Sequence, residues 1–399
     1  MLSETHLFAL LGGLLLLAFV SNRLFRRTRV PDLIVLMLVG VLLGPVFHAI
    51  NGKSFQVFNQ YLGTLALILI LFEGGAELQV RRTLRYFPAG ILLALAGYAL
   101  SFFATAAASL ITLKLPFSSA VLVGAVLGCT SGTMVLPTLQ QLEPEEHVRV
   151  MLLIEAALGD VIAVIAVGSL VSLAEGEPML RGIAASFLLR CATSIAVALL
   201  AAYGWSRLTP SLSHLRFGNA ATLGALLVIF SATQALGGSG LLAVLIFGLG
   251  LANFFPESDV PSRFLSFPSE LSFLIRSFFF VLLGLQLGPI TSHFVLALAF
   301  IVAALVVARL VAVQVTRITT IDPADRELVF WMLPRGLVTA VLALKVVDAK
   351  GAQFAFLPDM AFAVILVTNV LLLVGIWRYG KRGNAEDVQQ PLTYRRRAS

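Results

Sequence analysis

Almost every stretch of this chain between two charged or Pro/Gly-rich breaks is apolar and about as long as a bilayer is thick. A spanning helix needs roughly 20 mainly apolar residues. Cutting at the breaks gives thirteen such segments, at about 4–22, 31–50, 60–80, 86–113, 117–140, 149–174, 180–207, 219–236, 239–255, 268–288, 290–316, 327–348 and 354–378. Of the 399 residues, 59% are hydrophobic and only 12% charged, against about 25% charged in a globular domain. The expected fold class is an all-α polytopic membrane protein of about 13 transmembrane helices. Such a composition excludes a soluble metabolic enzyme, and the net charge of +7 does not imply a nucleic-acid partner. Cys129 and Cys191 both sit in apolar segments, so no disulfide framework or thiolate cluster follows. The histidines lie near segment ends without metal-ligand spacing, and neither enzymatic chemistry nor a resident cofactor is expected.

The first segment is not a signal peptide by pattern. No basic region precedes His6–Val20, no small-residue cleavage site follows, and the run ends at Arg23, Arg26 and Arg27, so a retained helix is expected. The connections are short. Residues 1–379 are expected to form one transmembrane domain, and residues 380–399 a short basic cytoplasmic tail, solvated or touching anionic lipid heads. With the N-terminus outside, inward-facing breaks and tail hold nineteen Arg and Lys residues, and outward breaks hold four. That asymmetry predicts a multi-pass protein of the cell (inner) membrane with a cytoplasmic C-terminus.

Charges left inside spans are candidates for function, because a charge in hydrocarbon costs several kcal/mol (roughly 3 or more) unless paired or hydrated. They are Arg190, Arg276, Arg309, Arg335 and Lys345, with Glu73, Glu77, Glu155 and Asp160 among the acids. At about 1.5 Å per residue, Asp160 falls at the midplane of span 6, and Glu155 about 7 Å to its cytoplasmic side. Arg309 in span 11 falls about 9 Å to the same side, nearly level with Glu155. Five residues turn a helix by about 500°, so Glu155 and Asp160 point roughly 140° apart. The expectation is a division of labour: Glu155 pairs with Arg309, while Asp160 faces elsewhere without a local partner. An unpaired midplane carboxylate persists only when protonated, hydrated or bound to a cation, which are the states of a proton/cation exchanger. The alternative is that Asp160 is stapled to Arg335 or Arg276.

Two spans carry helix-breaking clusters. Span 5 contains Gly128-Cys129-Thr130-Ser131-Gly132-Thr133 and then Pro137; span 12 contains Pro334-Arg335-Gly336. Unwound backbone at membrane depth is tolerated where it is buried in protein or lines a cavity. If spans 1–6 and 8–13 are two halves joined by span 7, the interrupted helices occupy matching places in inverted repeats, which points to an ion site at their crossing. Thr130 and Ser131 would offer hard oxygen ligands, and Arg335 could compensate the negative C-terminal ends of the half-helices.

These residues resemble the monovalent cation:proton antiporters, particularly NhaP-like sodium/proton exchangers. Leu71-Phe72-Glu73-Gly74-Gly75-Ala76-Glu77-Leu78 is similar to the family's span-3 signature, and Cys129 to Leu136 to its unwound Thr-Asp-Pro segment. Leu153 to Asp160 resembles its Glu-Ser-x-x-Asn-Asp helix, Ala308-Arg309 and Pro334-Arg335-Gly336 its two arginine motifs, and Phe278 to Leu285 the stretch before them. The resemblance implies that Asp160 alternately carries a proton and the cation, with Thr130 as a co-ligand and Glu73 near the cytoplasmic approach. It also implies a Glu155–Arg309 pair, a homodimer, and a core bundle that moves against a dimerisation bundle. The chain departs from the pattern at Gly159, where the family has Asn, at Ser131 and Gly132 (Asp and Pro), and at Ala156 (Ser). These changes strip fixed charge and ligands from the site, so both sodium (or lithium) and potassium remain open as the exchanged ion. One shared carboxylate predicts electroneutral exchange; a cation-coupled solute symporter and a channel are the rival readings.

Overall fold

A computed structural model of the chain describes residues 4–28, 30–48, 50, 52–77, 87–142, 144–172, 179–212, 218–254, 262–288, 291–316 and 323–389. Among these residues the chain is entirely helical between its turns. The helices are α1 (Glu4–Thr28), α2 (Asp32–Val41, continued by a π-turn at Leu42–Val46), α3 (Gln56–Glu77), α4 (Phe87–Thr112), α5 (Phe117–Leu127), α6 (Gly132–Leu142), α7 (Glu146–Ser172) and α8 (Met179–Leu212). There follow α9 (Gly218–Ala235), α10 (Gly240–Phe254), α11 (Ser262–Leu285), α12 (Ser292–Val315), α13 (Pro323–Trp331), α14 (Leu337–Lys350) and α15 (Leu357–Gln389). Local chemistry sets many of the ends. Pro31 and Pro116 precede α2 and α5, and Pro323 opens α13, where a missing N–H costs nothing. Gly351, at φ +82°, ends α14 in a conformation that a side chain would strain.

Among the described residues, eight segments are long and apolar enough to cross a membrane: those within α3, α4, α5–α6, α7, α8, α11, α12 and α15. The segments expected near 4–22, 31–50, 219–236, 239–255 and 327–348 are also helical. Their apolar runs are shorter, and the last is divided between α13 and α14. The helix α15 runs on to Gln389, into the stretch expected as a tail; Arg395 to Arg397 lie outside the described residues.

The helices group into two bodies. In one, α2 packs on α11, α11 on α3, α3 on α10, and α10 on α8 and α9; in the other, α4 packs against α5, α7 and α12, and α15 against α12, α13 and α14. Glycines permit the closest approaches in the first body. A Cβ on Gly40 or Gly284 would collide with the facing backbone at Val281 or Met37, so α2 and α11 touch main chain to main chain. Gly75 and Gly248 do the same between α3 and α10. The two bodies meet where α7 touches α3, α8 and α10, α14 touches α3, and α15 touches α2. Large apolar side chains cover the periphery, as Phe300, Val307 and Leu310 do on α12, while Asp32, Glu155, Asp160, Arg309 and Arg335 are buried. That is a membrane protein's arrangement: lipid-facing apolar side chains outside, charges turned into the bundle.

Candidate functional site

The helical ladder stops twice inside the second body, at residues 128–131 between α5 and α6 and at residues 332–336 between α13 and α14. Glycines flank the first break, and Pro334 removes a donor within the second. The freed groups bond across to each other. The Ser131 N–H donates to the Pro334 carbonyl at 2.8 Å, and Cys129 Sγ shares a 3.5 Å hydrogen bond with Thr339 Oγ1. The Arg335 N–H donates to Thr368 Oγ1 at 3.0 Å, and Asn369 Nδ2 donates to the Arg335 carbonyl at 2.9 Å. Position 336 must be glycine, since a Cβ there would overlap the Ser131 side chain.

Charge is distributed to match the helix ends. The Arg335 guanidinium donates from Nε to the Leu127 carbonyl at 2.7 Å and from Nη1 to the Leu333 carbonyl at 3.0 Å. It therefore sits on the negative C-terminal ends of α5 and α13 together. Arg309 serves the second of these ends as well: Nε and Nη2 donate to the Val329 carbonyl at 3.0 and 2.7 Å. The same guanidinium makes a two-pronged ion pair with Glu155, through Nη1 to Oε1 and through Nη2 to Oε2 at 3.0 Å. Both side chains are almost fully buried.

Asp160 is placed quite differently. It is 1% exposed, its Oδ1 has no hydrogen-bond partner, and its Oδ2 accepts only a long 3.4 Å bond from the Gly132 N–H. Gly132 is the first residue of α6, so the carboxylate faces the positive end of a half-helix. Neither arginine weighed as a staple reaches it: Arg335 is bound to carbonyls, and Arg276 pairs with Asp32.

Beside Asp160 lies a cavity of about 70 Å³, also lined by Gly132, Thr133, Ala156, Glu73 and Arg276. That is room for several water molecules. Glu73 reaches it from α3, which packs against α11. A second cavity of about 220 Å³, lined by Arg190, Gln234, Ser239 and Lys345, lies toward the other end of α7. The first touches α7 at Leu153, Ala156, Ala157 and Asp160, and the second at Val164 through Val171. Asp160 thus stands at the boundary, one helical turn (about 6 Å) from the start of the second cavity.

Thr130 and Ser131 are not in the wall of the Asp160 cavity. A Cβ added at Gly159 would stand 3.8 Å from the Thr130 nitrogen and 4.0 Å from its oxygen, which puts that backbone beside the residue preceding Asp160. Ser131 Oγ is bonded to Thr133 Oγ1 at 2.6 Å and turned toward the second break. Thr133 as a wall residue of the cavity and Asp32 as the partner of Arg276 were missed in the sequence. Thr133 belongs to the quoted break motif, but only folding shows that it, and not Thr130 or Ser131, lines the cavity. Asp32 stands at the edge of the segment expected at 31–50; its signal is an interior arginine needing a partner.

The chain matches the sodium/hydrogen exchanger transmembrane family model over residues 14–377. It is 24% identical over 394 residues to Na(+)/H(+) antiporter 1 of Methanocaldococcus jannaschii, covering 92% of this chain and 91% of that protein. To the K(+)/H(+) antiporter NhaP2 of Shewanella baltica it is 28% identical, covering 96% of this chain and 68% of the relative. The fold is similar to the solved sodium proton antiporter MjNhaP1 from M. jannaschii at pH 8, with TM-score 0.75, 21% identity, and 92% and 94% of the two chains covered. Relatives named for either cation thus match most of this chain, and the family match extends across both helix breaks and the buried carboxylate between them: the chain belongs to the sodium/hydrogen exchanger family, as a cation/proton antiporter of the NhaP type.

Proposed function

We propose that the protein exchanges Na+ or Li+ for protons, one for one, with both competing for Asp160. The observation that carries this reading is the Asp160 carboxylate itself, buried, with one oxygen unpartnered and the other on a half-helix N-terminus, opening on a small cavity. A group so placed has three ways to be satisfied: a proton, water, or a dehydrated cation. Glu73 draws the cation into the approach. Oxygens at Thr130 and Thr133 share in its ligation, and Ser131 acts through its bond to Thr133. The Glu155–Arg309 pair stays charged throughout and holds α7, α12 and α13 together, and Arg335 compensates the half-helix C-termini.

On this reading the shorter helices also span, giving thirteen crossings in two inverted repeats with spans 5 and 12 crossing at their breaks. Internal packing supports the repeat. The close glycine contact of α3 with α10 (spans 3 and 9) maps, seven spans on, to that of α11 with α2 (spans 10 and 2). Alternating access follows from exposing Asp160 to one cavity and then the other. The protein works as a homodimer in the cell membrane, N-terminus outside, with the first body as the fixed part.

A specific observation favours potassium as a second reading. Ala156 and Gly159 offer no side-chain ligand beside Asp160, and relatives such as NhaP2 of Shewanella baltica are named K(+)/H(+) antiporters. The test is proton release from proteoliposomes with an acid interior on adding Na+, Li+ or K+ in turn, with and without a protonophore. Release by one ion, undiminished when the potential is clamped, identifies the substrate and electroneutral exchange. Silence to all three, in folded protein, refutes the reading in favour of a symporter or channel.

A further inference from the structure

The cavity beside Asp160 contains a cation of its own. Arg276, on α11, lines the same wall as Glu73 and Asp160, and a fixed positive charge there would repel the ion that the site must admit. The guanidinium is not left to act alone. Its Nη2 lies 3.1 Å from Asp32 Oδ2, with side chains 12% and 7% exposed. Asp32 is outside the cavity wall. It is the first residue of α2, held by Pro31 before it and by the Leu33 N–H, which donates to Oδ1 at 3.0 Å. Arg276 Nε is buried with no partner, so the guanidinium is engaged on the Asp32 side and has a donor to spare. Glu73 is close enough to feel its charge.

A staple between α2 and α11 would be the plain explanation. Yet those helices are already in backbone contact at Gly40 and Gly284, which sets their register without a charge. A largely buried ion pair is also a weak source of stability, because desolvation offsets the attraction. What the pair does change is the charge of the vestibule. With Arg276 balanced by Asp32, the cavity keeps the negative charge of Glu73. Without Asp32, Arg276 cancels Glu73 or swings onto it.

We propose that Asp32 is a specificity-determining residue of the exchanger, which by holding and neutralising Arg276 keeps the approach to Asp160 attractive to a monovalent cation. This rests on the reading of Asp160 as the cation site. A unit charge about 10 Å from the ion, in a medium of effective dielectric about 20–40, shifts affinity about 4- to 15-fold.

The experiment is cation-driven proton release from proteoliposomes, with calorimetric titration of the detergent-solubilised protein with the same ion. Asp32→Asn should raise the apparent KM and the calorimetric Kd about 4- to 15-fold while leaving maximal rate within twofold. Adding Arg276→Gln to that variant should restore both constants. Arg276→Gln alone should bind the cation as tightly as wild type or more tightly, and this variant decides the matter should Asp32→Asn not fold. A lowered maximal rate with unchanged KM and Kd, unrepaired by the second substitution, would overturn the proposal and leave a structural staple. Should the wild type bind the ion yet release no protons, exchange is refuted separately, and the Kd series still tests the charge balance.

Discussion

Breaking the Glu155–Arg309 pair offers a quantitative check on how the breaks are held. Both side chains are under 5% exposed, and Arg309 also donates two hydrogen bonds to the Val329 carbonyl at the end of α13. Glu155→Leu leaves a buried guanidinium without its counter-charge, which costs about 3–5 kcal/mol. Arg309→Met strands the carboxylate to the same degree and also removes the cap on Val329, for a further 1–3 kcal/mol or so. The double variant leaves neither charge, so only the Val329 term and some repacking remain, and it should be more stable than either single variant. At about 2 °C per kcal/mol, the apparent melting temperature in detergent should fall roughly 6–10 °C for Glu155→Leu. It should fall further for Arg309→Met and only about 2–6 °C for the pair, on the same scale. Proton release measured on the double variant should survive with its pH profile unchanged, because Asp160 is untouched. A double variant no more stable than Glu155→Leu would refute the coupling, since close partners must show a favourable interaction term in such a cycle.

Asp160→Asn should abolish exchange while the protein folds and melts at or above the wild-type temperature, since an amide in that setting carries no buried charge. Gly159→Asn has ordinary van der Waals room beside Thr130; it should fold and lower the apparent KM for Na+ severalfold, read by dequenching of a pH dye. Acidification should raise the apparent KM for the cation while maximal rate holds, because proton and ion compete for one carboxylate; a falling maximal rate at constant KM would point to a separate titrating group. Gly40→Val drives a side chain into the Val281 carbonyl, so it should cost about 1–3 kcal/mol or more, seen as reduced thermal stability and folded yield.

The residues differ in how far they could be read in advance. Glu155 and Arg309 are 154 positions apart, yet their partnership was legible, because each lies in a long apolar run whose length fixes its depth. Arg335 was legible for a related reason: a charge inside a broken helix has orphaned carbonyls at hand, here those of Leu127 and Leu333. Asp32 and Arg276, 244 positions apart, were not, since Asp32 stands at the very edge of its segment, where an acid needs no buried partner. Ser131 and Thr133 are two residues apart, and nothing in their order says that their hydroxyls bond to each other beside Gly336 or that Thr133 alone of the two lines Asp160's cavity.

What the amino-acid order determines by itself is position along the membrane normal. Apolar run length, the basic residues at the ends and the Gly/Pro interruptions together place each charge at a depth, and the hydrocarbon's intolerance of unsatisfied groups makes that placement strict. Rotation about each helix axis and the identity of its neighbour are a different matter. They depend on main-chain contacts at Gly40, Gly284, Gly75 and Gly248 and on the hydrogen bonds between the breaks, which exist only once the helices have packed. Tertiary structure therefore decided that Asp160 should face the N-terminus of α6 unpaired, and that Arg276 should turn to Asp32 instead.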